Sequence, residues 1–147
     1  MFPDNPKHKS IICVDNYKLL DGHYVYTSTD AESISVGYAQ FDNTNPDELT
    51  AKVFRRDSHS GRWFRQSEEI PLHRCVDLCN LIVQSIMKAE GINYGIVSTS
   101  INPTVKKDLS DIKSFYERMS TSNPSRTYNQ LREKLRELRI LIDILNP

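Results

Sequence analysis

The chain has 147 residues, of which 38% are hydrophobic and 26% are charged, values typical of a folded domain. Nineteen basic residues balance nineteen acidic residues, so the overall charge does not indicate a nucleic-acid-binding protein. No run of about eighteen apolar residues occurs and the first ten residues lack an apolar segment, which argues against a membrane span and a secretory signal.

The three cysteines are expected to be reduced thiols in the cytoplasm, because an odd number suits a disulfide framework poorly. The length predicts a single domain covering residues 1–147, with a core large enough to fold without a metal. The charge is uneven along the chain: the first third is acidic, and residues 49–75 are basic.

The first half of the chain predicts an antiparallel meander of four to five strands between about residues 11 and 66. Short apolar or β-branched runs occur at residues 11–14, 23–26, 34–41, 49–57 and 62–66. Turn signals separate these runs, among them Asp21-Gly22 and the Asn-, Asp- and Pro-rich stretch that begins at residue 42. Gly37 lies inside one run and predicts a bulge or a close approach of two backbones.

The second half of the chain predicts helices at about residues 71–90, 109–119 and 125–145. The first begins at Pro71 and ends at Gly91, residues that suit the two ends of a helix. Its apolar residues recur at three- and four-residue steps and predict the face that covers the sheet: Leu72, Cys75, Val76, Cys79, Ile82, Val83 and Ile86. The predicted fold is α+β, a meander packed by this central amphipathic helix, with two further C-terminal helices.

The last predicted helix carries the most regular apolar spacing in the chain. Its residues step by 4, 3, 4 and 3 and form a candidate dimer face: Leu131, Leu135, Leu138, Ile142 and Leu145. Two heptads are fewer than the three or four that indicate a coiled coil. Two interpretations therefore stay open, a helix docked on its own domain and the seam of a homodimer.

Between residues 52 and 65 the chain concentrates five basic residues and three large aromatic residues. Strand alternation predicts that Phe64 joins Val53 beneath the helix and that one outward face holds Lys52, Phe54, Arg56, Trp63 and Arg65. Aromatic rings stack on unpaired bases and cations neutralise phosphates, so this face is a candidate site for single-stranded DNA or RNA. A solvated face on which arginine stems cover aromatic rings explains the same pattern.

The order of elements in residues 34–90, with the hairpin KVFRRDSHSGRWFRQSEE leading into an amphipathic helix, resembles the transcriptional coactivator and Whirly-type single-strand DNA-binding fold. The resemblance implies a dimer whose cationic sheet binds single-stranded DNA, with Lys52, Arg56, Trp63 and Arg65 as contacts. The acidic first third and the two C-terminal helices depart from that pattern. The segments RQSEE and PLHR also resemble an uncharacterised family of bacterial proteins, which implies no activity.

Other candidate chemistry is weaker. Cys75 and Cys79 share a helix face, but His73 lies on a different side and no second cysteine pair is present, so no metal site is predicted. Glu69 lies four residues before His73, which allows an acid–base pair in a small enzyme. No nucleotide-binding or nucleophile motif is present, so no catalytic residue and no cofactor is assigned.

The sequence therefore favours a non-enzymatic domain that binds single-stranded nucleic acid through a basic, aromatic sheet face. One alternative is a protein-interaction or self-association module that works through the C-terminal helix. A second alternative is a small enzyme with a site near Glu69 and His73.

Overall fold

The computed structural model describes residues 2–4, 6–21, 29–47, 49–64, 72–95, 99–118 and 126–147, apart from the side chains of residues 118 and 126–130. This part of the chain forms a four-stranded sheet and three α-helices, which confirms the predicted α+β fold. The strands and α-helices in chain order are β1 (Lys9–Val14), β2 (Ala31–Tyr38), β3 (Leu49–Arg55), α1 (Leu72–Ala89), β4 (Thr104–Val105), α2 (Ser110–Arg118) and α3 (Arg126–Leu145), and a short 3-10 helix, Tyr17–Leu19, follows β1. None of these three helices is both long enough and apolar enough to cross a membrane.

The strands lie in the order β3-β2-β1-β4, and each neighbouring pair is antiparallel. The first three strands form the predicted meander, in which Ile12 lies opposite Val36 and Ile34 lies opposite Val53. The sequence predicts no strand at β4, which pairs with β1 through two residues, one of them Val105 opposite Ile12. A two-residue strand is too short for alternation to show in the sequence.

The predicted return strand at 62–66 is only partly described. Arg56 and Trp63 form an isolated bridge, and the backbone N–H of Phe64 donates to the carbonyl oxygen of Arg55 at 2.8 Å. The described residues of the return segment therefore pair with β3 without forming a strand of their own. Residues 65, 66 and the predicted strand at 23–26 lie outside the described residues.

The hydrophobic core lies between one face of the sheet and the helices. Strand alternation directs one set of apolar side chains toward this core: Ile12, Val14, Ile34, Val36 and Val53. The helices contribute Leu81 from α1 and Ile112 from α2, and the segment before β4 contributes Ile101. Each fully buried aliphatic side chain of this kind stabilises the fold by about 1.5–3 kcal/mol.

The helix face predicted to cover the sheet is wrong for most of its residues, although Ile82 does pack against the core. Leu72 is 85% exposed and Val76 is 66% exposed, whereas Arg74, Leu81 and Ser85 are buried. The exposed side also holds three further members of the predicted face: Cys75, Cys79 and Val83. α1 is therefore turned away from the orientation that maximal burial of its apolar residues would give.

A buried ion pair explains this rotation. The Nε and Nη2 atoms of Arg74 donate to the two carboxylate oxygens of Asp21 at 2.9 Å and 2.8 Å, and Nη2 also donates to Asp30 at 3.2 Å. Burial raises the pKa of Asp21, but hydrogen bonds from Arg74, Thr29 and His73 outweigh it and hold that pKa below its usual value. Because an unpaired buried charge costs several kcal/mol, the pairing fixes which side of α1 faces inward.

Two glycines behave as the sequence predicts. Gly91 has φ of 69° and ends α1, and the N–H of Ile92 donates to the carbonyl oxygen of Met87 at 2.9 Å, as in a Schellman motif. Gly37 on β2 lies against β1, where a Cβ atom would come within 2.1 Å of the carbonyl oxygen of Lys9. The close approach is accompanied by a bulge in β1 between Ser10 and Ile12.

Asp21→Asn removes the charge that balances Arg74 while keeping the side-chain volume. We expect the free energy of unfolding to fall by about 3–5 kcal/mol, because the buried guanidinium loses its counter-charge. Asp15→Asn is the matched control, since Asp15 pairs with Lys106 at the surface and its loss should cost about 0–1 kcal/mol. Urea denaturation followed by circular dichroism measures both, and equal small losses would contradict a central role for the pair.

Gly37→Ala should destabilise the protein by about 1–3 kcal/mol, because the added methyl group meets the backbone of β1, which cannot move without breaking the sheet. Gly95→Ala is the control, since the nearest atom to its Cβ is the side-chain oxygen of Asn93 at 3.2 Å. The midpoint of urea unfolding compares the two variants. A loss at Gly95 as large as that at Gly37 would show that the close approach is not the cause.

Candidate nucleic-acid interface

The sheet face opposite the helices is built from small and polar residues, because strand alternation sends the apolar set to the core. β2 contributes Ser33 and Ser35 to this face, and β3 contributes Thr50, Lys52 and Phe54. The serines are fully buried, so another part of the chain covers them.

That cover is the N-terminal segment, by which we mean the described residues 2–4 and 6–8. The ring of Phe2 lies 4.8 Å from the ring of Phe54, and the ring of His8 lies 5.8 Å from it on another side. The ammonium group of Lys106 lies 5.6 Å from the centre of the Phe2 ring. The expectation of an open sheet face is therefore wrong over this area, and Phe54, at 4% exposed, has no surface for a base.

His8 fixes the N-terminal segment to the sheet. Its Nε2 lies 3.0 Å from the hydroxyl oxygen of Ser35, and its Nδ1 lies 3.3 Å from that of Thr50. The Ser35 hydroxyl donates to Ser10 at 2.9 Å, so Ser35 can accept from His8. This arrangement satisfies a neutral imidazole protonated on Nε2. Burial, assisted by the charge of Lys52, lowers the pKa of His8 to about 4.

A cleft of about 540 Å³ lies between the N-terminal segment on one side and β3 with residues 63–64 on the other. The lining residues are Pro3, Pro6, Lys7, Gln40, Lys52, Phe54, Trp63 and Phe64. Phe54 forms the floor, and the ring of Trp63 meets it edge to face with centroids 6.3 Å apart. Phe64 is 44% exposed and so presents ring surface to a ligand.

The cleft is cationic. Lys52 is half-buried, and its ammonium group donates to the side-chain oxygen of Gln40 at 2.7 Å and lies 5.2 Å from the centre of the Phe54 ring. Burial lowers the pKa of Lys52. A second ammonium group comes from Lys7, which is exposed. An anionic ligand bound in this cleft would offset the desolvation of the Lys52 ammonium group.

The residues predicted to bind nucleic acid fall into three groups. Lys52, Phe54 and Trp63 line the cleft together. Arg56 is not among the cleft-lining residues: its Nε donates to the carbonyl oxygen of Gly61 at 2.9 Å, and its guanidinium lies 5.7 Å from the Trp63 ring centre. Arg65 lies outside the described residues.

The expectation for Phe64 is wrong, since it lies in the cleft and not beneath the helix with Val53. Lys7 and Gln40 were not predicted, because an irregular segment and a strand end carry no periodic signal. The two prolines at positions 3 and 6 were the available hint, since they hold a segment extended and able to lie across a sheet.

Only one residue of the acid–base pair predicted for a small enzyme, His73, is described, because Glu69 lies outside the described residues. The Nε2 atom of His73 lies 2.8 Å from the buried carboxylate of Asp21. His73 therefore belongs to the ion-pair network that orients α1. No group of three metal-ligating side chains occurs within the described ranges.

A family model described as a family of unknown function (DUF6530) matches residues 1–107. No curated protein and no solved structure is significantly similar to the chain. The match confirms the resemblance to an uncharacterised family, and nothing in these comparisons supports the resemblance to the coactivator and Whirly-type fold. The matched residues include all four described strands and the cleft, and they end before α2.

The stability of the folded protein should depend on pH through His8, which holds the N-terminal segment on the sheet. Its folded-state pKa of about 4 lies below the ordinary value of 6.5, so the unfolded chain takes up a proton first as the pH falls. The stabilisation is therefore complete above about pH 6.5 and decreases by about 3 kcal/mol between pH 7 and pH 4.

Urea denaturation at several pH values between about pH 7 and pH 4 measures the free energy of unfolding. In His8→Gln this free energy should lose the part of its pH dependence that His8 causes. His59→Gln is the control, because His59 is exposed in the hairpin turn. An unchanged pH dependence in His8→Gln would show that another group causes the slope.

Proposed function

The chain belongs to a family of unknown function, DUF6530, and since that membership assigns no activity, we propose from the chemistry of the cleft that the protein binds single-stranded nucleic acid. An unpaired base enters the cleft beside Trp63 and Phe64, and the adjoining phosphates lie at Lys7 and Lys52. The observation that carries the proposal is that two ammonium groups and two accessible rings surround one cleft.

Stacking on an aromatic ring contributes about 1–3 kcal/mol for each base, whatever its identity. The cleft offers few groups arranged to read the edge of one particular base, with Gln40 already accepting from Lys52. Little sequence preference is therefore expected. A duplex is a poor ligand, because its bases are already stacked and their faces are hidden from a ring.

The neutral net charge limits the strength of this binding. Two lysines neutralise two phosphates, so the logarithm of the association constant should fall with the logarithm of salt concentration with a slope of about −1.4. The proposed binding site is therefore short and its affinity is low. It is one cleft, smaller than the cationic sheet face predicted from the sequence of the hairpin.

Trp63 is the only tryptophan, so its emission reports directly on the cleft. We expect a short oligothymidylate to quench Trp63, and an abasic oligonucleotide of equal length to bind through its phosphates with little quenching. A free mononucleotide tests whether the ligand is a strand or a small molecule, since a strand should bind more tightly through its additional phosphates.

Lys52→Ala should reduce the salt slope by about 0.7, because one phosphate contact is lost. Lys113→Ala is the matched control, since Lys113 is an exposed lysine on α2 outside the cleft. Fluorescence anisotropy of a labelled oligothymidylate across a salt series measures both variants. Binding whose salt slope is the same in Lys52→Ala, or the absence of binding at low salt, would contradict the proposal.

A further inference from the structure

A second concave surface lies on the helical side of the protein, outside the nucleic-acid cleft. α3 packs against α2 and lines, together with Val83 of α1 and Tyr116 of α2, a groove of about 560 Å³. Its floor is apolar and is formed by Val83 of α1 with Leu135, Leu138 and Ile142 of α3. Three of the residues that the sequence predicts as a dimer face therefore line this groove, while Leu145 is 74% exposed at the end of α3.

The apolar surface extends beyond the groove along α1. Leu72, Val76, Cys79 and Val83 are exposed and follow one another at steps of 4, 3 and 4, so they form one stripe on the helix surface. Eleven residues of helix cover about 16 Å. Exposed apolar side chains that adjoin one another along a helix in this way favour an interaction surface.

The rim of the groove is basic. Arg132, Arg136 and Arg139 follow one another at i, i+4 and i+7 and so lie on the same side of α3. Within the described part of the chain, Asp143 is the one acidic residue that lines the groove, and its carboxylate lies 3.9 Å from Arg139 at the surface. Among the described residues, Arg132 and Arg136 make no ion pair, so the rim has a net positive charge.

The charges argue against a second copy of this chain as the occupant. α1 and α3 are the described helices long enough to cover the stripe, and each has more basic than acidic residues. Pairing α3 with its own copy would bring two arginine rows together along the seam, where like charges destabilise association. The groove is instead complementary to an acidic helix.

We propose that this groove binds an amphipathic helix of another protein, whose aliphatic side chains occupy the apolar floor and whose acidic flank pairs with the rim arginines. Recognition of this kind uses apolar residues at i, i+4 and i+7 on the partner, the spacing that α1 and α3 themselves present. The proposal is independent of nucleic-acid binding, because the two sites share no residue.

The probe is a labelled synthetic helix with leucines at i, i+4, i+7 and i+11 and glutamates along one flank. We expect the full chain to bind it, with the affinity of Arg132→Glu/Arg136→Glu lower by about tenfold or more. The double variant should in turn prefer the same peptide with lysines in place of glutamates. That exchange of preference separates charge recognition from nonspecific apolar contact.

The matched control is Arg62→Glu/Lys113→Glu, which makes the same change of charge at exposed positions outside the groove. Circular dichroism establishes that each variant keeps its helices, and Leu138→Asp tests the apolar floor. No binding of the acidic peptide, or equal binding by both double variants, would overturn the proposal. Concentration-dependent dimers that Leu138→Asp converts to monomers would also overturn it in favour of a second copy.

Discussion

The buried pairing of Asp21 with Arg74 is the constraint on which the arrangement of sheet and helices depends. Asp21 follows the turn after β1, and Arg74 lies in the first turn of α1, so the pair connects distant parts of the chain. Asp30 extends the network, because it accepts from Arg74 at 3.2 Å and from Arg55 at the end of β3 at 2.9 Å. Such a network adds little net stability over apolar packing, but it allows few alternative arrangements.

The rest of α1 agrees with this orientation. The hydroxyl of Tyr17 donates to Asp77, one turn beyond Arg74, on the inward side of the helix. Further along, the side-chain amide of Gln84 donates to the carbonyl oxygen of Ile101 at 2.8 Å and accepts from Tyr94. Polar residues with fixed partners therefore run the length of the buried side, and the apolar stripe that begins at Leu72 is left on the outside.

The sequence predicts what depends on local rules. The boundaries of all three helices lie within about two residues of the predicted ones, because glycine, proline and apolar spacing act locally. The orientation of α1 could not be predicted, because the partner of Arg74 lies 53 positions away. The cover over the sheet could not be predicted for a similar reason. Strand alternation predicts the side that holds Lys52 and Phe54, but the N-terminal segment has no periodic pattern in its sequence.

The two surfaces differ in how they relate to the family. The cleft and the Asp21–Arg74 pair lie within residues 1–107, which the family model matches. Most residues that line the groove belong to α2 and α3, which lie beyond the matched residues. Val83 of α1 also lines the groove and lies within the matched residues. The rotation of α1 that the ion pair imposes is what exposes Val83. A partner for the groove therefore depends on a constraint located in the matched part of the chain, although most of the groove lies outside it.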